Sequence, residues 1–217
     1  MGMFAKNPQV HLKRLRIIAQ TTEAISVDMA IETEDVCGLW LALEFGVVIY
    51  DEQFMHACTL GHTEIVRLLL ALPPERGVNP AANYNEALQR ACYRGQTEIV
   101  RLLLELPLER GVNPAVHGNY ALRRASTSGF TEIVRMLIDL PLNRGVDSAA
   151  CNNEAIRNAC RNGHTEIVRV LLDLPLERGV NPAANDNAAF RYASINGHTE
   201  IRQMLTAKIP WYRRLFV

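Results

Sequence analysis

Lysine is nearly missing from this sequence. Lys6, Lys13 and Lys208 are the only three, and arginine supplies the rest of the 23 basic residues. A surface solubilised mainly by flexible ammonium groups is excluded, because arginine's planar fork favours fixed, bidentate contacts with carboxylates. Neither sign of charge is in excess: Lys+Arg and Asp+Glu each total 23 and cancel. Bulk charge therefore cannot drive the coating of a polyanion, although a local basic stripe remains open. The five cysteines (Cys37, Cys58, Cys92, Cys151, Cys160) are an odd number, form no CxxC pair and have no zinc spacing with histidine. A disulfide framework and a zinc module are both excluded, and the chain reads as a reduced, intracellular protein. No apolar run reaches the ~18 residues that span a bilayer, and the opening MGMFAKNPQV lacks a secretory hydrophobic region. The signatures GxSxG and HExxH, the P-loop and the GxGxxG turn are all missing, so neither an enzyme nor a bound cofactor is expected.

A chain of 217 residues is long enough to bury a substantial core, as one large domain or two small ones. What fills it is repetition. GHTEIVRLLL at 61–70 returns as GQTEIVRLLL at 95, GFTEIVRMLI at 129, GHTEIVRVLL at 163 and GHTEIRQMLT at 197, always 34 residues apart. The flanks repeat too, as ALPPERGVNP, ELPLERGVNP, DLPLNRGVDS and DLPLERGVNP. Five units follow: 51–84, 85–118, 119–152, 153–186 and a shortened 187–217, preceded by residues 1–50.

Each unit reads as two short helices. Asp51, Asn85, Asn119, Asn153 and Asn187 stand where an N-cap opens the first helix. That helix stops at Gly61, Gly95, Gly129, Gly163 or Gly197, where a left-handed residue is easy. A Thr-Glu pair, as at Thr97 and Glu98, opens the second helix with a hydroxyl cap and a charge suited to the helix dipole, and Pro107 ends it. Phe54, Leu88, Leu122, Ile156 and Phe190 form an apolar ladder, and Ala57, Ala91, Ala125, Ala159 and Ala193 allow close helix approach. The next column, Cys58, Cys92, Ser126, Cys160 and Ser194, interchanges small residues and reads as packing. Since so short a helix cannot hide its apolar face alone, units must stack. The expected fold is all-α: a helical repeat solenoid of five 34-residue units behind an atypical helical N-terminal cap over 1–50. Asn7-Pro8 starts a helix over 8–20 in that cap, and Thr33 starts a second one carrying Val36, Leu39, Trp40 and Leu43. In the last unit Arg202 and Thr206 replace apolar residues, as befits a face that meets water.

EALQRACYRGQTEIVRLLLELPLERGVNPA at 86–115 resembles the ankyrin repeat, whose unit of about 33 residues carries TPLHLAAxxGHxEIVxxLLxxGADVNA. Gly95, Glu98, Ile99, Val100, Leu103 and Val112-Asn113 fall in register, and the likeness covers roughly 51–206. Two departures stand out. TPLH is replaced by EALQ, YALR, EAIR and AAFR, with the Asn caps expected to compensate. The LPLERG loop carries one extra residue, so a tight turn or extended loop is expected where the family has a β-hairpin finger. The uniform PLERGVNPAAN style is similar to ankyrin proteins of intracellular bacteria that act as effectors. The resemblance implies a non-catalytic protein–protein interaction module, cytoplasmic or delivered into a host cytosol.

His62, His164 and His198 share one repeat column with Gln96 and Phe130, so they read as structural rather than metal-binding. Variation between units is more telling. In the ankyrin family the positions just before each Gly line the concave groove. Here and one turn earlier stand Arg90, Tyr93, Arg94, Arg123, Arg124, Arg157, Arg161, Arg191 and Tyr192. Arg and Tyr carry binding hot spots. The expected partner is another protein with an acidic or mixed surface, taken up by a monomer. The bland alternative is that these arginines pair with Glu86, Glu154 or loop acids and only solvate the face. Arg67, Arg101, Arg135 and Arg169, and Arg76, Arg110, Arg144 and Arg178, do not vary and read as architectural, bridging Glu75, Glu109 or Glu177 to the adjacent repeat. Two other functions stay open: a binding fragment of a larger enzyme or effector, with 209–217 as a junction, and a nucleic-acid binder. Zero net charge and the lack of a groove-entering basic helix argue against the last.

Overall fold

The computed structural model describes residues 26–208 except 74, 76 and 176. The helix expected over 8–20, the tail 209–217 and Arg76 lie outside the described residues. Among those described, every regular element is helical and no strand occurs. The chain divides into two compact units, 1–79 and 80–217.

In the first unit, α1 (Val27–Glu32) and α2 (Val36–Glu44) precede α3 (Asp51–Leu60) and α4 (Thr63–Leu70). α1 packs on α2 and α3, and α2 packs on α4, as one helical hairpin laid on another. Thr33 does not start a helix. It ends α1, its hydroxyl donating to the Met29 carbonyl at 2.8 Å. Asp35 opens α2 instead, its Oδ1 accepting the Gly38 N–H at 2.8 Å. A carboxylate accepts more strongly at a positive helix end than a hydroxyl two residues earlier. Leu39 and Leu43 are buried as expected, whereas Trp40 keeps 38% of its surface.

The second unit contains α5 (Ala82–Arg94), α6 (Thr97–Glu105), α7 (Val116–Ser128), α8 (Thr131–Ile138), α9 (Ala150–Asn162), α10 (Thr165–Leu172), α11 (Ala184–Ile195) and α12 (Thr199–Lys208). First helices α5, α7, α9 and α11 pack in sequence as one layer, and second helices α6, α8, α10 and α12 as another. Between the layers Leu88, Leu122 and Ile156 are at most 1% exposed, and the alanine column is fully buried. Each such aliphatic side chain contributes roughly 1.5–3 kcal/mol. Phe190 is only half-buried on the last first helix. Two of the LPLERG-type loops are tight turns, the single 3-10 turns Leu108–Arg110 and Leu142–Arg144.

Where each first helix begins, the chain makes a left-handed turn. Asn83-Tyr84-Asn85, His117-Gly118-Asn119, Cys151-Asn152-Asn153 and Asn185-Asp186-Asn187 all have φ between 50° and 65°. A left-handed residue other than glycine costs about 1–2 kcal/mol, least for Asn. The asparagines therefore do not cap their own helices as expected. Instead the buried Oδ1 of Asn85, Asn119 and Asn153 accepts the backbone N–H of Asn113, Asp147 and Asn181, at 2.7, 3.0 and 2.6 Å. Each bond ties one entry turn to the loop that leads into the next. Asp51 does the same for Asn79 in the first unit, at 2.8 Å.

The other end of each first helix is a glycine with a second duty. Gly129 and Gly163 have φ of 89° and 78°, and a Cβ there would stand 2.7 Å from His164 and 2.6 Å from His198 of the following repeat. Those imidazole Nε2 atoms lie 3.0 and 3.1 Å from the carbonyls of Thr127 and Arg161, at the end of the preceding first helix. His164 and His198 are structural for that reason. The threonine hydroxyls after it do not cap; Thr97 Oγ1 donates to the Gly95 carbonyl at 3.4 Å.

The invariant arginines are architectural, but with other partners than expected. Arg101 reaches Glu98 at 3.3 Å and Glu132 at 3.0 Å, Arg135 pairs with Glu166, and Arg169 reaches Glu166 at 3.3 Å and Glu200 at 3.0 Å. The acids come from second-helix starts rather than from the loops, because one repeat of stacking brings the next glutamate alongside. Loop arginines bond carbonyls of the preceding repeat, Arg144 to Leu104 and Val112 at 3.3 Å each and Arg178 to Leu140.

Two measurements check this packing. Asn119→Ala removes both an inter-repeat hydrogen bond and a residue that tolerates the left-handed region, and is expected to cost about 2–4 kcal/mol in urea unfolding. Asn119→Gly restores the backbone freedom and is expected to cost less than the Ala variant. The second concerns thiols. Burial pushes Cys58 and Cys92 far up and Cys160 up to about 12, so none supplies thiolate near neutrality. A thiol reagent added to native protein is expected to label Cys37 and Cys151, which are exposed, and to reach the other three only on denaturation.

Candidate functional site

The nine arginines and tyrosines of the variable face all lie on first helices of the second unit. The structure sorts them into groups. Arg123, Arg157 and Arg191 share a column with Gln89, and each turns back on the entry turn of its own helix. Gln89 Nε2 donates to the Tyr84 carbonyl at 2.6 Å. Arg123 donates to Gly118 and His117 at 3.0 Å each, Arg157 to Cys151 at 3.2 Å and Arg191 to Asn185 at 3.4 Å. Carbonyls of a left-handed turn have no helical partner, so a cationic donor five or six residues on satisfies them. Arg123 also pairs with Glu154 on α9 and keeps only 17% of its side-chain surface. Arg90 pairs with Glu86 one turn back, at 2.6 Å.

Arg94, Arg124 and Arg161 have no carboxylate partner among the described residues, and tyrosines hold them instead. Arg124 Nε donates to the Tyr120 hydroxyl at 2.6 Å. Its guanidinium carbon lies 4.8 Å from the centroid of the Tyr120 ring and 5.2 Å from that of Tyr93. Arg161 stacks on Tyr192 at 4.1 Å, and Arg94 lies 5.9 Å from Tyr93. Such contacts contribute about 0.5–1 kcal/mol at exposed sites, which orients a guanidinium without consuming its charge. Tyr120 was absent from the residues singled out in the sequence. Its spacing of four before Arg124, which puts both on one helix face, was the available signal.

Between α7 and α9 lies a depression of about 400 Å³ bordered by Tyr120, with Arg123, Arg124 and Arg161 against the single acid Glu154. A shallower hollow of about 250 Å³ on the second helices has the opposite balance, with Arg135 and Arg169 against Asp139, Glu166 and Asp173. The two faces thus differ in sign although the whole chain is neutral. Among the described residues no group of His, Cys, Asp and Glu is placed to hold a metal ion, and no helix is long and apolar enough to cross a membrane.

Residues 54–148 match the family model for ankyrin repeats, in three copies. No curated protein matches the chain. Ankyrin repeats are generally protein–protein interaction modules, and a fold of this kind is typically non-catalytic. Helix pairs that repeat every 34 residues, matched by that model, identify residues 54–148 as ankyrin repeats.

Proposed function

We propose that the protein is a non-catalytic interaction module that binds another protein on its first-helix face. That face would be the concave one, since alanine at the closest approach lets first helices pack more tightly than second helices. The observation that carries the reading is the division of the arginines. Those of the second helices are spent on a ladder of glutamates, whereas Arg94, Arg124 and Arg161 keep their charge and are held on tyrosine faces. Tyr and Arg presented together on a rigid scaffold are the residue types on which binding energy concentrates. Arg90, Arg123, Arg157 and Arg191 border the same surface as supports, and Tyr93 and Tyr192 supply its apolar area. The partner is a protein of acidic or mixed surface, and a monomer suffices to take it up. The uniform loop sequence, similar to that of bacterial effectors, supports action inside a host cytosol.

The test compares two triple variants in a pull-down from cytosolic extract. Arg94, Arg124 and Arg161 replaced together by Ala are expected to weaken capture by more than about a hundredfold, with unchanged circular dichroism. Arg101, Arg135 and Arg169 replaced by Ala are expected to keep the partner. They should lose up to about 1 kcal/mol of stability per pair, since exposed ion pairs contribute no more. Loss of the partner only in the second variant would move the binding face to the second helices.

A further inference from the structure

The depression between α7 and α9 has a wall in which most donors are already used. Thr127 Oγ1 donates to the Arg123 carbonyl at 2.7 Å. Asn158 Nδ2 lies 3.0 Å from Thr127 Oγ1 and 3.4 Å from Glu154 Oε1, and Asn162 Nδ2 donates to the Thr127 carbonyl at 2.7 Å. Arg123 neutralises Glu154, the one acid that could otherwise quench its neighbours. What remains to meet a ligand is the terminal nitrogens of Arg124, the whole guanidinium of Arg161 and the proton of the Tyr120 hydroxyl, which accepts from Arg124 Nε. Both guanidiniums lie against tyrosine rings, and Arg124 spends only its Nε on the Tyr120 hydroxyl, which leaves its two terminal nitrogens and the N–H groups of Arg161 for a ligand. Edge-on is the geometry in which a guanidinium grips a carboxylate.

Resting on the module reading above, we propose that this depression receives an acidic segment of the partner: an extended stretch with neighbouring Asp or Glu side chains, whose carboxylates bind Arg124 and Arg161. Size and charge both favour it. A volume of about 400 Å³ is at the low end for small-ligand sites, so it takes a few residues of open chain and not a folded surface. The formal charge of its wall, three arginines against one glutamate, calls for about two negative charges. Carboxylate is favoured over phosphate by a helix end. Arg161 lies in the last turn of α9 (Ala150–Asn162), where exposed carbonyls give the backbone a partial negative charge. A dianion concentrated at one point meets that field at greater cost than two separated monoanions.

The experiment measures fluorescence anisotropy with three labelled glycine–serine peptides, carrying a central Asp-Glu-Asp, Asn-Gln-Asn or phosphoserine. The acidic peptide is expected to bind, the amide peptide not to, and binding is expected to weaken as salt rises. Arg124→Ala and Arg161→Ala are each expected to weaken it about tenfold or more, and Arg101→Ala, which removes the same charge from the other face, to leave it unchanged. Arg161→Lys, which keeps the charge but loses the flat edge, is expected to be weak as well. Equal binding of the amide peptide, equal affinity in Arg161→Ala, or binding by the phosphoserine peptide alone would each overturn the proposal. Failure here is distinct from failure of the module reading. A captured partner that the acidic peptide does not displace, yet that Arg94, Arg124 and Arg161 still hold, removes the carboxylate recess and leaves the interaction face standing.

Discussion

One buried asparagine per repeat sets the geometry on which the second unit depends. Its Oδ1 takes the backbone N–H of a residue 28 positions later, across the whole helix pair, and so fixes how far one entry turn stands from the next loop. The asparagine reaches that N–H because it closes a left-handed turn of three residues, a conformation that only Asn and Gly adopt at modest cost. Strain and staple thus belong to one device: the turn aims the side chain, and the buried bond holds the turn.

That device consumes cations. Open carbonyls of the left-handed turn draw in Gln89, Arg123, Arg157 and Arg191, one per repeat, from a column that looked variable and therefore functional. The second helices draw in another arginine column to join successive glutamates. Scarcity of lysine follows from both uses, since a planar fork can meet two carbonyls or two carboxylates at once and a single ammonium meets them poorly. Arg94, Arg124 and Arg161 lie outside these columns and have no carboxylate partner among the described residues.

Neutrality of the whole is therefore no guide to its surfaces. Acids are collected at second-helix starts, where the helix dipole favours them. Facing first helices keep arginines in excess, buttressed by Tyr93, Tyr120 and Tyr192. Rigid repeats are suited to such segregation, because each position in the unit always lands on the same face.

The sequence by itself determined the repeat, its length, both helices of each unit, the glycine stops and the buried Leu, Ile, Ala and Cys columns. Periodicity and small-residue positions depend only on neighbours along the chain and one unit away. It also marked the first-helix arginines as the varying set. Tertiary structure decided what each of that set contacts. Whether Arg123 or Arg124 is spent depends on which carbonyls and acids the left-handed turn and the adjacent repeat bring within about 3 Å, a distance no column of letters contains. The same holds for the asparagines: their position suggested an ordinary cap, and only a positive φ at three consecutive residues, which the asparagine spacing did not reveal, turned each side chain from its own helix toward the next repeat.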